Sequence, residues 1–175
     1  CLSLFLILAS KNYLIYRLLK TVEKEEFWVD WCKEELAQGR SLKIPAHGFS
    51  MLPSIIEGNI VQIEAISMEQ ILPGHLIAFQ RLQHIVVHRV LKIKQKDTEL
   101  LFESQGDSNM RIDESITSLN YIGKVTKKNN LNLSKKIPSY PQRIFFSLIA
   151  LGLTYFFVLK NKLKKLKLRL SQQIK

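Results

Sequence analysis

Gly48-Phe49-Ser50-Met51-Leu52-Pro53 separates two stretches of alternating sequence, and the reading of the chain turns on it. Before it, Leu42, Ile44 and Ala46 alternate with Lys43, Pro45 and His47. After it, Val61, Ile63 and Ala65 alternate with Ile60, Gln62 and Glu64. A period of two predicts strands on both sides. The stretch between them must turn sharply, so its serine is presented rather than buried. Most serines in such a setting hydrogen-bond their own backbone. A chemical role for Ser50 therefore requires a base elsewhere in the chain.

Further short strands are predicted at His75 to Gln80, Gln83 to Leu91, Glu99 to Ser104 and Tyr121 to Lys127. They are divided by Glu57-Gly58-Asn59, Leu72-Pro73-Gly74, Lys96-Asp97 and Gln105-Gly106-Asp107. Short strands separated by turns predict a mainly β domain over residues 41–127, with a coiled or barrel-like antiparallel sheet. Upstream, residues 21–39 read as an amphipathic helix. Phe27, Trp28, Trp31 and Leu36 fall mostly on one side, Glu23, Glu25, Glu26, Glu34 and Glu35 on the other, and Gly39 is the stop. Residues 1–20 hold two apolar runs, Leu2 to Ala9 and Tyr13 to Leu19, divided by Lys11 and Asn12. Neither run alone spans about 30 Å of hydrocarbon. The segment fits the remnant of a membrane helix, an interfacial helix, or a helix docked on its own domain. The chain opens on Cys1 rather than methionine, which implies processing or a longer parent.

Downstream, a polar linker over residues 128–143 leads to Ile144 to Leu159, sixteen residues without a charge. As helix this run is about 24 Å long; it reads as a single transmembrane span completed by snorkelling of Arg143, Lys160 and Lys162, against a helix buried in a partner or lying in the interface. The net charge of +11 is localised. From Lys124 onward there are 13 Lys and Arg and no acid, whereas residues 1–123 carry 13 basic and 15 acidic residues. A basic tail, 160–175, following an apolar run fits the cytoplasmic end of a membrane helix, which puts the β domain on the outer side. Membrane lipid is the expected partner of this tail. Nucleic acid is excluded, because leucines rather than aromatics interleave the lysines. Cys1 and Cys32 are too few for a disulfide framework and lack metal-ligand spacing. Nothing in the pattern calls for a metal or a cofactor.

Four histidines are candidate bases for Ser50. His47 and His75 adjoin turns, whereas His84 and His88 lie on a predicted strand. There His84, Val86 and His88 share one face, and Ile85, Val87 and Arg89 the other. Periodicity alone does not choose among them.

Six stretches in order resemble one family. Gly48-Phe49-Ser50-Met51-Leu52-Pro53 resembles the nucleophile motif of the type I signal peptidases, in the histidine-containing form of the endoplasmic reticulum and Gram-positive sporulation. Their superfamily includes the LexA-type self-cleaving repressors. Glu57-Gly58-Asn59-Ile60-Val61 and Pro73-Gly74-His75-Leu76-Ile77-Ala78-Phe79 resemble its two Gly-Asp-apolar segments, with Asn59 and His75 in place of aspartate. Val86-Val87-His88-Arg89-Val90 resembles the segment carrying the base. Gln105-Gly106-Asp107-Ser108-Asn109, then Asp113, resemble the acidic segment, and Tyr121-Ile122-Gly123-Lys124-Val125 the closing strand.

The resemblance covers about Ser41 to Thr126 and implies a signal-peptidase/LexA-like fold. It makes Ser50 the nucleophile and His88 the general base, with Asp107 orienting or supporting His88 and Asp113 a more distant acid. It implies a small, accessory type of membrane-anchored serine endopeptidase that cuts a signal or leader peptide. The Ser50 N–H is expected in the oxyanion hole, on a turn that precedes a short helix. An imidazole base works only when neutral, so activity is expected to fall as His88 protonates. Two other readings compete: a non-catalytic module of the same fold that binds an extended peptide in its groove, and a LexA-like regulator. The second lacks a helix-turn-helix before the β domain.

Overall fold

The computed structural model describes residues 22–173, so the readings for residues 1–20 lie outside the described residues. Among the described residues, helix α1 (Val22–Ala37) precedes seven strands and a long final helix. The strands are β1 (Leu42–Pro45), β2 (Ile60–Glu64), β3 (Leu76–Arg81), β4 (His84–Lys96), β5 (Glu99–Gln105), β6 (Tyr121–Lys128) and β7 (Leu131–Asn132). They form one antiparallel sheet in the order β1-β2-β6-β3-β4-β5, with β7 added beside β6. The mainly β expectation holds. The strand path has two ends, β1 and β5, and register shifts at Gln62/Ile63, Ala78/Phe79 and Val90/Lys92 break its regularity. Irregularities of this kind bend and coil a sheet.

Strand β3 decides where the core lies. Its first four residues, Leu76 to Phe79, are all buried, so apolar groups must cover both faces. Leu76 and Ala78 join Val61, Ile63 and Val125 in one cluster, closed by Val29, Cys32 and Leu36 of α1 and by Met51 and Ile55 of the serine stretch. Ile77 and Phe79 join Ile71, Val90, Phe102 and Ile116 in a second cluster on the other face. Alternation along β4 follows this division. Ile85 and Val87 pack on the first cluster, while Val86 and Val90 pack on the second.

Several sequence expectations need correction. On α1, Leu36 is buried and Trp28 and Trp31 pack on the core as expected, but Val29 and Cys32 are the more deeply buried residues of that face. Glu35, expected on the polar side, is buried, and Arg40 holds its carboxylate through two hydrogen bonds of 2.5 and 2.6 Å. Strand β4 continues to Lys96, because Lys92 to Lys96 pair with Glu99 to Glu103 in an edge hairpin whose polar residues hid the strand. The linker is shorter than 128–143: Leu131 and Asn132 pair with β6, and Leu133 packs on the first cluster.

The final helix, α2, runs Tyr140–Gln173 and so absorbs both the apolar run and much of the basic tail. Its segment from Tyr140 to Leu166 is long and apolar enough to cross a membrane, and Phe145, Leu148, Leu151 and Phe156 are all exposed on it. Glycine and proline are missing between Leu153 and Gln173, so nothing in the sequence breaks the helix at the apolar–basic boundary.

Candidate active site

Ser50 sits in a run of turns from Ser50 to Ser54, held by Leu52 N–H to Phe49 O at 3.2 Å and Ile55 N–H to Met51 O at 2.9 Å. The short helix expected after Ser50 is thus only these turns. Met51, Leu52 and Ile55 are buried and anchor the segment from within. Gly48 has φ +85, a conformation that a side chain disfavours, and its N–H donates to the Glu57 carboxylate. A second clamp comes from the segment after β5. Ser108 N–H donates to Ser50 O at 3.0 Å, and Ser108 Oγ donates to Phe49 O at 2.6 Å. Gly106 fits so closely that an added Cβ would lie 2.5 Å from Ser50 O.

His88 projects from β4 toward this serine. Its Nε2 is 3.1 Å from Ser50 Oγ, and its Nδ1 is 2.6 Å from Asp113 Oδ2. An ionised carboxylate only accepts, so Nδ1 carries the proton and Nε2 is left as acceptor for the serine hydroxyl. The side chains of His88 and Asp113 are only 3% and 5% exposed, which keeps this contact out of water. Phe79 meets the imidazole edge-on, with ring centroids 5.9 Å apart.

Asp113 also accepts from Ser104 Oγ at 2.6 Å and from Arg81 Nη2 at 2.5 Å. Burial on its own would raise this carboxyl. The hydrogen bond and charge of His88, with the hydrogen bonds of Ser104 and Arg81, outweigh it and hold Asp113 below the usual carboxylate range.

Asp107 does not stand beside His88, contrary to the expected role. It is fully buried and accepts both Nε and Nη2 of Arg89, each at 2.8 Å, together with the Ser54 hydroxyl. The reason is the pleat: Arg89 follows His88 and so points to the opposite face of β4. Arg89 further donates to Gly74 O at 2.8 Å and Ser134 O at 2.7 Å, satisfying a charge that would otherwise be costly to bury. Asp107 therefore braces the scaffold behind the serine turn, and Asp113 takes the place at the imidazole.

Asn59 and His75 serve as turn residues. Asn59 Oδ1 accepts Ile56 N–H at 3.1 Å, and His75 Nδ1 accepts Leu72 N–H at 3.1 Å. Of the remaining two histidines, His47 lies beside Glu57 at 3.1 Å and His84 begins β4 at its exposed end.

Helix α2 reaches the site at two points. Arg143, 5% exposed, donates from Nη1 to Gly106 O at 3.2 Å. Phe157 lies against Phe49, the neighbour of Ser50, with ring centroids 5.5 Å apart. Arg81, Ser104, Ser108 and Arg143 were not legible as site residues. Alternation does place Arg81 on the face of β3 that carries Ile77, and Ile77 pairs with His88. Among the described residues, no three His, Cys, Asp or Glu side chains converge to hold a metal ion.

A scan against protein-family models and a search of curated proteins found no match to this chain.

Proposed function

We propose that this chain is a membrane-anchored serine endopeptidase of signal-peptidase/LexA-like fold, cutting a signal or leader peptide close to the bilayer. The observation that carries the reading is the array Ser50 Oγ, His88 Nε2 and Asp113, with separations of 3.1 and 2.6 Å. A nucleophile, a base and an orienting carboxylate in that relation are what acyl transfer requires. The resemblance of the six sequence stretches supports the family, and α2 supports the anchor.

In this mechanism Ser50 Oγ attacks the peptide carbonyl carbon as His88 Nε2 takes the hydroxyl proton. Asp113 keeps the ring oriented and stabilises the imidazolium that forms. The carbonyl oxygen becomes an oxyanion, for which the Ser50 N–H is the expected backbone donor. Collapse of the tetrahedral adduct breaks the C–N bond, and His88 returns its proton to the leaving amine. Water, deprotonated by His88, then hydrolyses the acyl-serine and releases the acid with Ser50 restored.

Phe157 of the apolar helix packs on Phe49, the neighbour of Ser50. The basic end of α2 favours the cytoplasmic face and the catalytic domain the outer one. Peptides that co-purify with full-length Ser50→Ala in membranes or detergent, mapped for the bond that wild type cuts, test the reading. Recovery of an apolar leader cleaved only by wild type supports it. Cleavage of the same bond by Ser50→Ala sinks it.

A further inference from the structure

We propose that Arg81 is a positioning residue for the catalytic base, fixing the Asp113 carboxylate against His88 and taking up part of its charge. The proposal rests on the Ser50–His88–Asp113 reading. The two oxygens of Asp113 are divided: Oδ2 serves His88 Nδ1 and Ser104 Oγ, and Oδ1 serves Arg81 Nη2 at 2.5 Å. A carboxylate held at both ends cannot rotate about its Cβ–Cγ bond without losing one partner. Arg81 also braces the ring's other neighbour, since its guanidinium carbon lies 5.3 Å from the centroid of Phe79, which packs on the imidazole.

Exposure makes the arrangement asymmetric. The side chains of His88 and Asp113 are almost wholly buried, whereas that of Arg81 is 44% exposed. Arg81 is thus the group through which solvent reaches an otherwise enclosed pair. His84 lies opposite Arg81 in the hairpin register, and Arg111 and Glu114 adjoin Asp113 in the chain. On the far face, Arg89 and Asp107 satisfy each other. The charge in direct contact with Asp113 Oδ1 is that of Arg81.

The direction of the effect follows. By drawing charge from Asp113, Arg81 reduces the stabilisation that the carboxylate gives to protonated His88. Without the guanidinium, the protonated ring is favoured, and the acid limb of the rate profile moves to higher pH. Partial exposure of Arg81 keeps the effect small.

The test uses the full chain in detergent or bilayers and compares wild type, Arg81→Gln and Arg81→Lys. Arg81→Gln is expected to lower kcat severalfold with KM little changed and to move the acid limb upward. Arg81→Lys, which keeps the charge, is expected to leave the limb near its wild-type position. An unmoved limb in Arg81→Gln, or a raised KM with kcat intact, overturns the proposal. Nuclear magnetic resonance titration of His88 in the Ser50→Ala background, with and without Arg81→Gln, gives the same comparison without catalysis. A chain without Ser50-dependent cleavage defeats the protease reading, while this titration still decides what Arg81 does to His88.

Discussion

His88 Nδ1 and Asp113 Oδ2 are 2.6 Å apart, whereas Asp107, six residues earlier in the chain, is joined to Arg89 on the other face of the same strand. The two aspartates thus have different work, and their substitutions should separate. Asp113→Asn is expected to leave the fold intact and lower kcat by about 10³ to 10⁴-fold, because the amide no longer enforces the required tautomer. Steady-state kinetics beside a thermal melt reads both effects.

Asp107→Ala should act on stability first. It strands the Arg89 guanidinium, which has no exposed surface, and breaking such a pair costs about 3–5 kcal/mol. Chemical denaturation is expected to reveal a loss of that size, larger than for Asp113→Asn. Equal losses in the two variants would contradict the division of roles.

Gly106→Ala tests the contact between the acidic segment and the serine turn. The added Cβ meets Ser50 O at 2.5 Å and the Asn109 amide at 2.9 Å, so the turn must shift. A destabilisation of about 1–3 kcal/mol and a fall in kcat are expected together. Gly152→Ala on α2, where nothing lies within 4 Å, is the matched control and should change neither.

His75 makes the fold sensitive to acid. Burial above all, then the charges of Lys124 and Lys135, holds its imidazole below the ordinary value of 6.5. As pH falls through 6.5 the unfolded chain takes up a proton that the folded chain refuses, so stability declines until the folded-state group also protonates. Above 6.5 the effect vanishes. Denaturation midpoints measured from pH 8 down to 5 should fall below 6.5, and His75→Asn, whose amide oxygen can still accept Leu72 N–H, should flatten that slope.

Cys32 should be inert in the folded chain. Its thiol is buried in the first core cluster, and burial, reinforced by Glu35, pushes it up to about 12. At pH 8 a maleimide is expected to modify the Cys32 peptide only after denaturant is added, as mass mapping would read. Rapid modification of native protein would place α1 off the domain.

The strands were legible because their apolar residues alternate, and Val86 and His88 fell on one face, as expected, for the same reason. What the pattern could not carry was the third dimension of the site. Alternation tells that Arg89 opposes His88, but not that Asp107 meets one and Asp113 the other, since both acids lie on an irregular segment beyond β5. The linker was misread because Leu131 and Leu133 are isolated among polar residues, and only their pairing and packing reveal them. The helix end was missed because lysine is a good helix former, so a change in polarity at Lys160 carries no stop signal.

The central claim is that His88, oriented by Asp113, activates Ser50. A serine-directed fluorophosphonate probe on the full-length chain, read by intact mass and peptide mapping, tests it most directly. The account predicts one adduct on Ser50 in wild type, formed much more slowly in Asp113→Asn and not at all in His88→Ala. Labelling of Ser50 at equal rates in wild type and His88→Ala would contradict it.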